Sequence, residues 1–276
     1  MRRLMQYPAA VRPPAVAGSF YPASPAELRD LVDGLLAPIA VPARGRPPKA
    51  LVVPHAGYVY SGPIAASAFA RLAPFAATIR RVVLIGPAHR VAVDGLASPG
   101  VETLRTPLGD VPVDVEALTG LAGVEADPLA HAREHSLEVE LPFLQRVLPH
   151  ARVVPLAVGH ASPELVGRTL EALWGGDETV IVISSDLSHY LPYDEGRRCD
   201  RATASRITTL DPRPLRGDEA CGAAGINGLL WVARRKGLSC ELLDLRSSGD
   251  TAGGRREVVG YGAFALYAPD TGGGAS

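Results

Sequence analysis

The chain has few cysteines, and their number and spacing argue against two classes of protein. Its 276 residues contain 3 cysteines, an odd number, and no two of them form a C-x-x-C motif. A disulfide framework, or a structural zinc site built from paired cysteines, is therefore not indicated. This use of cysteine favours a reducing compartment, and we expect a cytoplasmic protein.

The sequence also lacks a long hydrophobic run and an excess of charge of either sign. No apolar stretch approaches the roughly 20 residues that span a membrane, and prolines interrupt the N-terminal segment before any signal-like apolar core. Lysine and arginine number 28 against 29 aspartates and glutamates, and no basic stripe is present. Neither a membrane nor a nucleic acid is therefore expected as a partner.

The motifs of three common enzyme classes are missing. Neither G-x-x-x-x-G-K-[ST] nor G-x-G-x-x-G follows a predicted strand, which argues against a phosphate-binding or dinucleotide-binding loop. Ser185 and Ser188 could supply the nucleophile of a Ser-His-Asp hydrolase. The G-x-S-x-G elbow of such enzymes is absent, however, so the sequence disfavours that class.

An apolar run that leads into a histidine occurs three times. The runs are ALVVPH at 50–55, RVVLIGPAH at 81–89 and TVIVISSDLSHY at 179–190. Runs so rich in aliphatic and β-branched residues are typical of strands buried on both faces. Ligands of open α/β sheets bind at the carboxyl ends of such strands. If the three strands are neighbours, His55, His89 and His189 converge, and clustered neutral imidazoles favour a metal ion.

Helical patterns alternate with the predicted strands along the chain. One long candidate, Asp127 to Leu148, should be kinked by Pro142. The chain closes with two strands, Cys240 to Leu245 and Val258 to Tyr267. With no shift in composition to mark a linker, we predict one α/β domain over 1–276 with a mainly parallel central sheet flanked by helices. Its core should cover about 12–267, with a flexible tail at 271–276.

Cys221 is a candidate fourth member of the histidine cluster. It opens a helix predicted for 221–236, where the positive end of the helix dipole would lower its pKa and prepare the thiolate for a metal or an electrophile. The alternative is a small buried thiol, the commoner fate of a cysteine. Glu219 could reach the same place.

Two carboxylates lie close in sequence to histidines and could orient their imidazole rings. Asp186 lies three residues before His189 and could orient that imidazole, although it could equally cap the next turn. Glu134 and His135 form a similar pair, with helix capping as the alternative for Glu134. The three other histidines lie in polar, turn-like settings and are expected to be exposed to solvent: His131, His150 and His160.

Seven sequence blocks stand out along the chain. They are PHAGYVYSG at 54–62, GPAH at 86–89, TPLGDVPVD at 106–114, EHSLEVELPFLQ at 134–145, SSDLSHY at 184–190, ACG at 220–222, and SGD to VVGY within 248–261. Together they resemble the Memo-like family, which includes AmmeMemoRadiSam system protein B. The resemblance runs from about Arg12 to Tyr267, with the blocks in the family's order.

This resemblance implies a fold similar to that of class III extradiol ring-cleaving dioxygenases, the LigB-like fold. Residue by residue, His55 and His89 match the two histidine ligands of a non-haem iron. The third ligand is a carboxylate in the dioxygenases, whereas the Memo family has a cysteine, matched here by Cys221. A soft thiolate shifts metal preference towards copper or zinc, so ring cleavage does not follow from the resemblance.

The resemblance also implies roles around that metal. His189 matches the acid/base histidine, Asp186 accompanies it, and His135 is a further pocket histidine. The first hypothesis is a metal-dependent oxidoreductase acting on an unknown substrate, with Fe(II) preferred and copper or zinc as alternatives. The others are a binding or scaffold protein whose vestigial pocket receives a peptide or a partner protein, and a protein that sequesters copper or iron. A small molecule or a peptide is the ligand expected in the pocket. A radical-SAM protein and an AMMECR-like protein are the partners that the resemblance implies.

Overall fold

A computed structural model describes residues 11–42 and 46–269 of the chain. Within these ranges the strands are β1 (Val11–Arg12), β2 (Ala50–Val53), β3 (Arg81–Pro87), β4 (Leu96–Ser98), β5 (Thr103–Thr106), β6 (Gly109–Pro112), β7 (Val124–Ala126), β8 (Arg152–Val158), β9 (Thr179–Ser184), β10 (His189–Leu191), β11 (Ser239–Ser247) and β12 (Val258–Tyr267). The α-helices are α1 (Pro25–Leu36), α2 (Tyr58–Phe69), α3 (Val115–Leu118), α4 (Pro128–Ala132), α5 (Leu141–Val147), α6 (Pro163–Ala172), α7 (Tyr193–Thr208) and α8 (Ala223–Arg235).

The central sheet has nine strands in the order β10-β12-β2-β9-β3-β8-β4-β7, with β11 paired to β12. Its interior strands β2, β9, β3 and β8 are parallel to one another. The prediction of a mainly parallel sheet is wrong outside this interior, because β12 runs antiparallel to β2 and to β11. The connection between β11 and β12 contains no crossover helix, and strands joined in that way pair antiparallel.

Strand β9 lies between β2 and β3, so the three histidine-bearing runs are neighbours. Val53 is paired with Ser184, and Ile183 with Ile85, near the carboxyl ends. All six residues of β9 are buried, which accords with its five consecutive β-branched residues at 179–183. The chain therefore leaves all three strands at one edge of the sheet, as the sequence predicted.

The segment predicted as one kinked helix over Asp127 to Leu148 is broken. It forms α4, a non-helical stretch, a 3₁₀ turn at Glu138–Glu140 and α5. Pro142 lies in the first turn of α5, where its missing N–H would have no intrahelical partner. It therefore helps to start a helix instead of kinking one, and the non-helical stretch brings Glu134 to the end of β3.

The described residues do not test the predicted ends of the domain. The flexible tail predicted for 271–276 lies outside the described residues, and the boundaries of a single domain over 1–276 stay predictions. In the ranges that the structure describes, no helix is both long enough and apolar enough to cross a membrane.

His131 was expected to be exposed, and that prediction is wrong. It is 3% exposed, and its Nε2 lies 2.8 Å from the carbonyl oxygen of Ala97 on β4. Helix α4 is a single short turn packed on that strand, which turns the ring inward. Burial lowers the pKa of His131 to about 4. His150 and His160 are exposed, as expected.

The buried His131 should make the protein less stable in mild acid. Its pKa is about 4 in the folded state and near 6.5 when unfolded, so unfolding takes up a proton as pH falls below 6.5. The free energy of unfolding should therefore drop by up to about 3 kcal/mol between pH 7 and pH 4 through this group alone. Urea unfolding at several pH values measures the drop, with His131→Gln reducing it by the share of this group and His150→Gln as the exposed control. Equal pH dependence in the wild type and His131→Gln would contradict the assignment.

Candidate metal site

Three potential metal ligands meet at the carboxyl edge of the sheet. His55, His89 and Cys221 each offer one ligand atom, and these atoms lie within 4.8 Å of one another. Cys221 Sγ is 3.3 Å from His55 Nε2, and the two imidazole ring centroids are 5.3 Å apart. Two imidazoles and one sulfur at these separations can surround a single ion.

His55 is held from behind by the end of β9. Its Nδ1 lies 2.7 Å from Ser184 Oγ, and its backbone N–H donates to Asp186 Oδ1 at 2.8 Å. These contacts leave Nε2 directed at Cys221. Burial, together with the nearby His135 and His89, lowers the pKa of His55 well below its usual value. The ring is therefore neutral at neutral pH, as a metal-binding imidazole must be.

His89 is held in the same manner by Glu134. Its Nδ1 lies 2.9 Å from Glu134 Oε1, and its backbone N–H donates to Oε2 at 2.5 Å. Burial alone would raise the pKa of Glu134, but hydrogen bonds from His89 and from the Ser136 N–H outweigh it and lower the pKa to about 2. Glu134 is thus an ionised carboxylate that orients His89, a stronger role than the helix cap considered from the sequence.

Cys221 lies two residues before α8, in a turn tied to the Asp186 backbone. Its N–H donates to the carbonyl oxygen of Asp186 at 3.2 Å, and its Sγ accepts from the Asp186 N–H at 3.3 Å. The predicted lowering of the thiol pKa is wrong. Burial, and then the charge of Asp186, raise the pKa of Cys221 to about 12. The helix begins only at Ala223, so in this fold burial outweighs the helix dipole.

Gly222 lets the Cys221 turn rest directly on the end of β9. A Cβ built at this position would lie 2.6 Å from the carbonyl oxygen of Ser184 and 2.6 Å from the Ser185 Cβ. No side chain fits that space. The backbone N–H of Gly222 also donates to Ser185 Oγ at 2.9 Å, which fixes the turn against the strand.

Asp186, in the loop after β9, and His189, the first residue of β10, do not hydrogen bond to each other in the described structure. The Asp186 carboxylate accepts from the backbone N–H groups of His55 and Ala56 instead, and burial raises its pKa to about 7. Burial lowers the pKa of His189. Asp186 thus braces the His55 loop, and the catalytic roles of both residues stay predictions.

His135 completes a group of three clustered imidazoles. Its ring stacks on His89, with centroids 4.9 Å apart and planes at 16°, and meets the His55 ring edge-on at 5.4 Å. Its Nδ1 is 3.3 Å from Glu134 Oε1. Burial lowers the pKa of His135 to about 4, so it adds an uncharged ring to the pocket.

A cavity of about 790 Å³ opens over these residues. Tyr190 stands at its mouth, 71% exposed and with a left-handed backbone φ of 57°, a strained conformation beside His189. The sequence-predicted residues in the wall are His55, His89, His135, Asp186, His189 and Cys221, and the aromatic ones are Phe20, Tyr60, Tyr190 and Tyr261. Glu219 does not line this cavity but pairs with Arg206 at 2.6 Å, so the suggestion that it joins the site is wrong.

Two polar residues behind His55 were given no role from the sequence. Ser184 contacts His55, and Glu140 contacts Ser184. A signal for Glu140 was present: it is spaced three residues after Leu137 and four before Leu144, which places a carboxylate on the apolar face of a helical pattern. A carboxylate on a buried face needs a specific partner.

The fold and the site together define a mixed α/β protein with a central sheet flanked by helices and a possible His/Cys metal-binding group at its carboxyl edge. The family model described as "Memo-like protein" matches residues 12–265, and the chain belongs to that family. MEMO1 family proteins are similar over nearly their whole length. The one from Methanopyrus kandleri is 38% identical over 277 residues, 92% of this chain and 98% of its own, and the one from Ignicoccus hospitalis is 36% identical over 284, with shares of 94% and 99%. That of Methanosarcina barkeri is 37% identical over 276 residues, with shares of 92% and 99%.

Proposed function

We propose that this protein is a metal-dependent oxidoreductase whose ion is held by His55, His89 and Cys221. One observation carries the proposal: the three ligand atoms lie within 4.8 Å of one another at the wall of a large open cavity. The contacts behind the two rings support it. A ring whose Nδ1 is already engaged can present only Nε2 to an ion, and both His55 and His89 are engaged in that way.

The chemistry of the donor set fits a transition metal. Neutral imidazoles suit iron, copper and zinc, and a sulfur ligand adds a preference for soft ions over magnesium or calcium. Fe(II) is our first candidate, because the family resemblance implies a LigB-like fold similar to that of class III extradiol dioxygenases, and copper or zinc are the alternatives. When bound, a redox-active ion would supply electron transfer to oxygen or to a substrate.

The chain's own residues would bind a ligand and move protons beside that ion. The cavity offers aromatic walls for a small molecule or a peptide. His189 lines it and, being half-buried with a lowered pKa, is neutral at neutral pH and able to accept a proton from a bound hydroxyl group. Asp186 and His135 would hold this arrangement in place. A cytoplasmic protein working with a radical-SAM protein and an AMMECR-like protein is part of the same proposal.

The proposal is tested by oxygen uptake after anaerobic loading with Fe(II) or copper. We expect uptake with a member of a panel of catechols, phenols and thiols. His189→Gln should retain the metal and lower turnover at least about 100-fold, because positioned acid/base groups contribute 10²- to 10⁴-fold. His160→Gln, an exposed histidine, is the control. A protein that keeps its metal but consumes no oxygen with the whole panel would overturn the oxidoreductase in favour of metal sequestration. A protein that holds no metal would favour a binding or scaffold role.

A further inference from the structure

The Ser184 hydroxyl group, buried behind His55, has three polar partners but only one proton to donate. Ser184 Oγ lies 2.7 Å from His55 Nδ1, 2.6 Å from the carbonyl oxygen of Ser136 and 2.7 Å from Glu140 Oε1. Ser184 and Glu140 are fully buried. Three partners therefore surround one hydroxyl group within the protein core.

Counting protons assigns the direction of each hydrogen bond. A serine hydroxyl donates one proton and accepts through two lone pairs. The carbonyl oxygen of Ser136 can only accept, so it takes the Ser184 proton. The other two partners must then donate, which requires a proton on His55 Nδ1 and a proton on Glu140 Oε1. An ionised Glu140 would instead place its lone pairs 2.7 Å from those of Ser184.

The surroundings of Glu140 also favour a protonated carboxyl group. It is 0% exposed, and its Oε2 has no hydrogen-bond partner in the described structure. The buried cation Arg12 is already paired with Glu138. Burial, and then the charge of Asp186, raise the pKa of Glu140 well above its usual value, although the Ser184 hydrogen bond opposes them. An unpaired ionised carboxylate would be very unfavourable here.

We infer that Glu140 is a neutral carboxylic acid that acts through Ser184 to fix His55 as the Nδ1–H tautomer, with the Nε2 lone pair facing Cys221. Glu140 and Ser184 are thus positioning residues. His89, by contrast, is anchored by the ionised Glu134. The two imidazoles therefore differ in donor strength, since a carboxylate partner makes a ring more basic than a hydroxyl partner does.

Two spectroscopic readouts on the metal-free protein test this inference directly. Infrared difference spectra between wild type and Glu140→Gln should show the C=O stretch of a protonated carboxylic acid that is lost in the variant. In ¹⁵N-histidine NMR, His55 should be protonated at Nδ1 in wild type and in Glu140→Gln, whose amide can still donate to Ser184. Absence of the carboxylic acid band, or protonation of His55 at Nε2, would overturn the inference.

The expected effect on metal affinity rests on the proposed function. Its measurement, together with the spectra, distinguishes a failure of the metal function from a failure of the tautomer assignment. With zinc as the probe, Glu140→Leu and Ser184→Ala should bind about 10- to 100-fold more weakly, whereas Glu140→Gln should stay within a few-fold of wild type. Equal affinity of Glu140→Leu and wild type would contradict the positioning role. If Glu140→Leu does not fold, Glu140→Gln and the spectra still decide. Failure of wild type to bind any metal, with both spectra as expected, would reject the metal function and leave the tautomer assignment supported.

Discussion

Replacement of Cys221 with serine is expected to lower the affinity for metal at least about 100-fold. The sulfur lies 3.3 Å from His55 Nε2 and completes the group with His89. Serine is nearly isosteric with cysteine, so the turn that holds residue 221 against the Asp186 backbone should keep its structure. Its hydroxyl remains protonated at neutral pH and is a poor ligand for soft ions. Loss of an outer partner of a ligand already costs 10- to 100-fold in affinity, and loss of the ligand itself should cost more.

Competition with a chromophoric chelator measures this affinity for zinc, copper and anaerobic Fe(II). Cys199→Ser is the matched control, because Cys199 is also a free, partly buried cysteine but lies on α7 outside the cluster. Cys199→Ser should bind like wild type, and both variants should unfold at similar temperatures. If Cys221→Ser and Cys199→Ser bind metal equally well, the sulfur is not a ligand.

Arg12→Met is expected to reduce the free energy of unfolding by about 3–5 kcal/mol, the usual cost of leaving one member of a buried ion pair unpaired. Arg12 donates to Glu138 Oε2 at 2.5 Å, and both side chains are buried. Its guanidinium also donates to the carbonyl oxygens of His131 and Glu134. The substitution therefore strands a carboxylate in the core and loosens the segment that presents Glu134 to His89.

Urea unfolding of Arg12→Met measures the loss, and Arg105→Met provides the control. Arg105 pairs with Asp110 across β5 and β6, next to β1, but both of those side chains are exposed. Solvent screens exposed pairs and they contribute little to stability, so the control should lose little. Equal losses in the two variants would show that the buried Arg12–Glu138 pair stabilises the protein no more than the exposed pair does. Arg12→Met together with Glu138→Gln should recover part of the stability, because no unpaired charge then remains.

The sequence predicts the strands that carry the site, but it does not predict which of them lie next to one another in the sheet. The run TVIVIS, with five consecutive β-branched residues, predicts a strand buried on both faces, and β9 is buried throughout. Nothing within one run, however, states that β9 inserts between β2 and β3. That arrangement depends on the helices that connect the strands. The antiparallel pairing of β12 with β11 and β2 was missed, although the segment between β11 and β12 is too short for a crossover helix.

Errors at individual residues share one cause, which is burial set by distant parts of the chain. His131 was expected in an exposed turn but is buried against Ala97, and Cys221 precedes a helix yet is tied to the backbone of Asp186. Local rules such as the helix dipole describe what a residue would experience in solvent. Desolvation by segments far along the chain exceeds that local effect, and the thiol pKa rises instead of falling.

The central claim is that two imidazoles and one thiolate hold a metal ion at the carboxyl edge of the sheet. X-ray absorption of wild-type protein, purified without oxygen or chelators and analysed for metals by mass spectrometry, tests it most directly. We predict close to one iron or copper ion per chain, with a single sulfur scatterer beside imidazole nitrogens, and loss of the sulfur signal in Cys221→Ser. Wild-type protein that binds no metal even after reconstitution, or a metal with only nitrogen and oxygen neighbours, would contradict the claim.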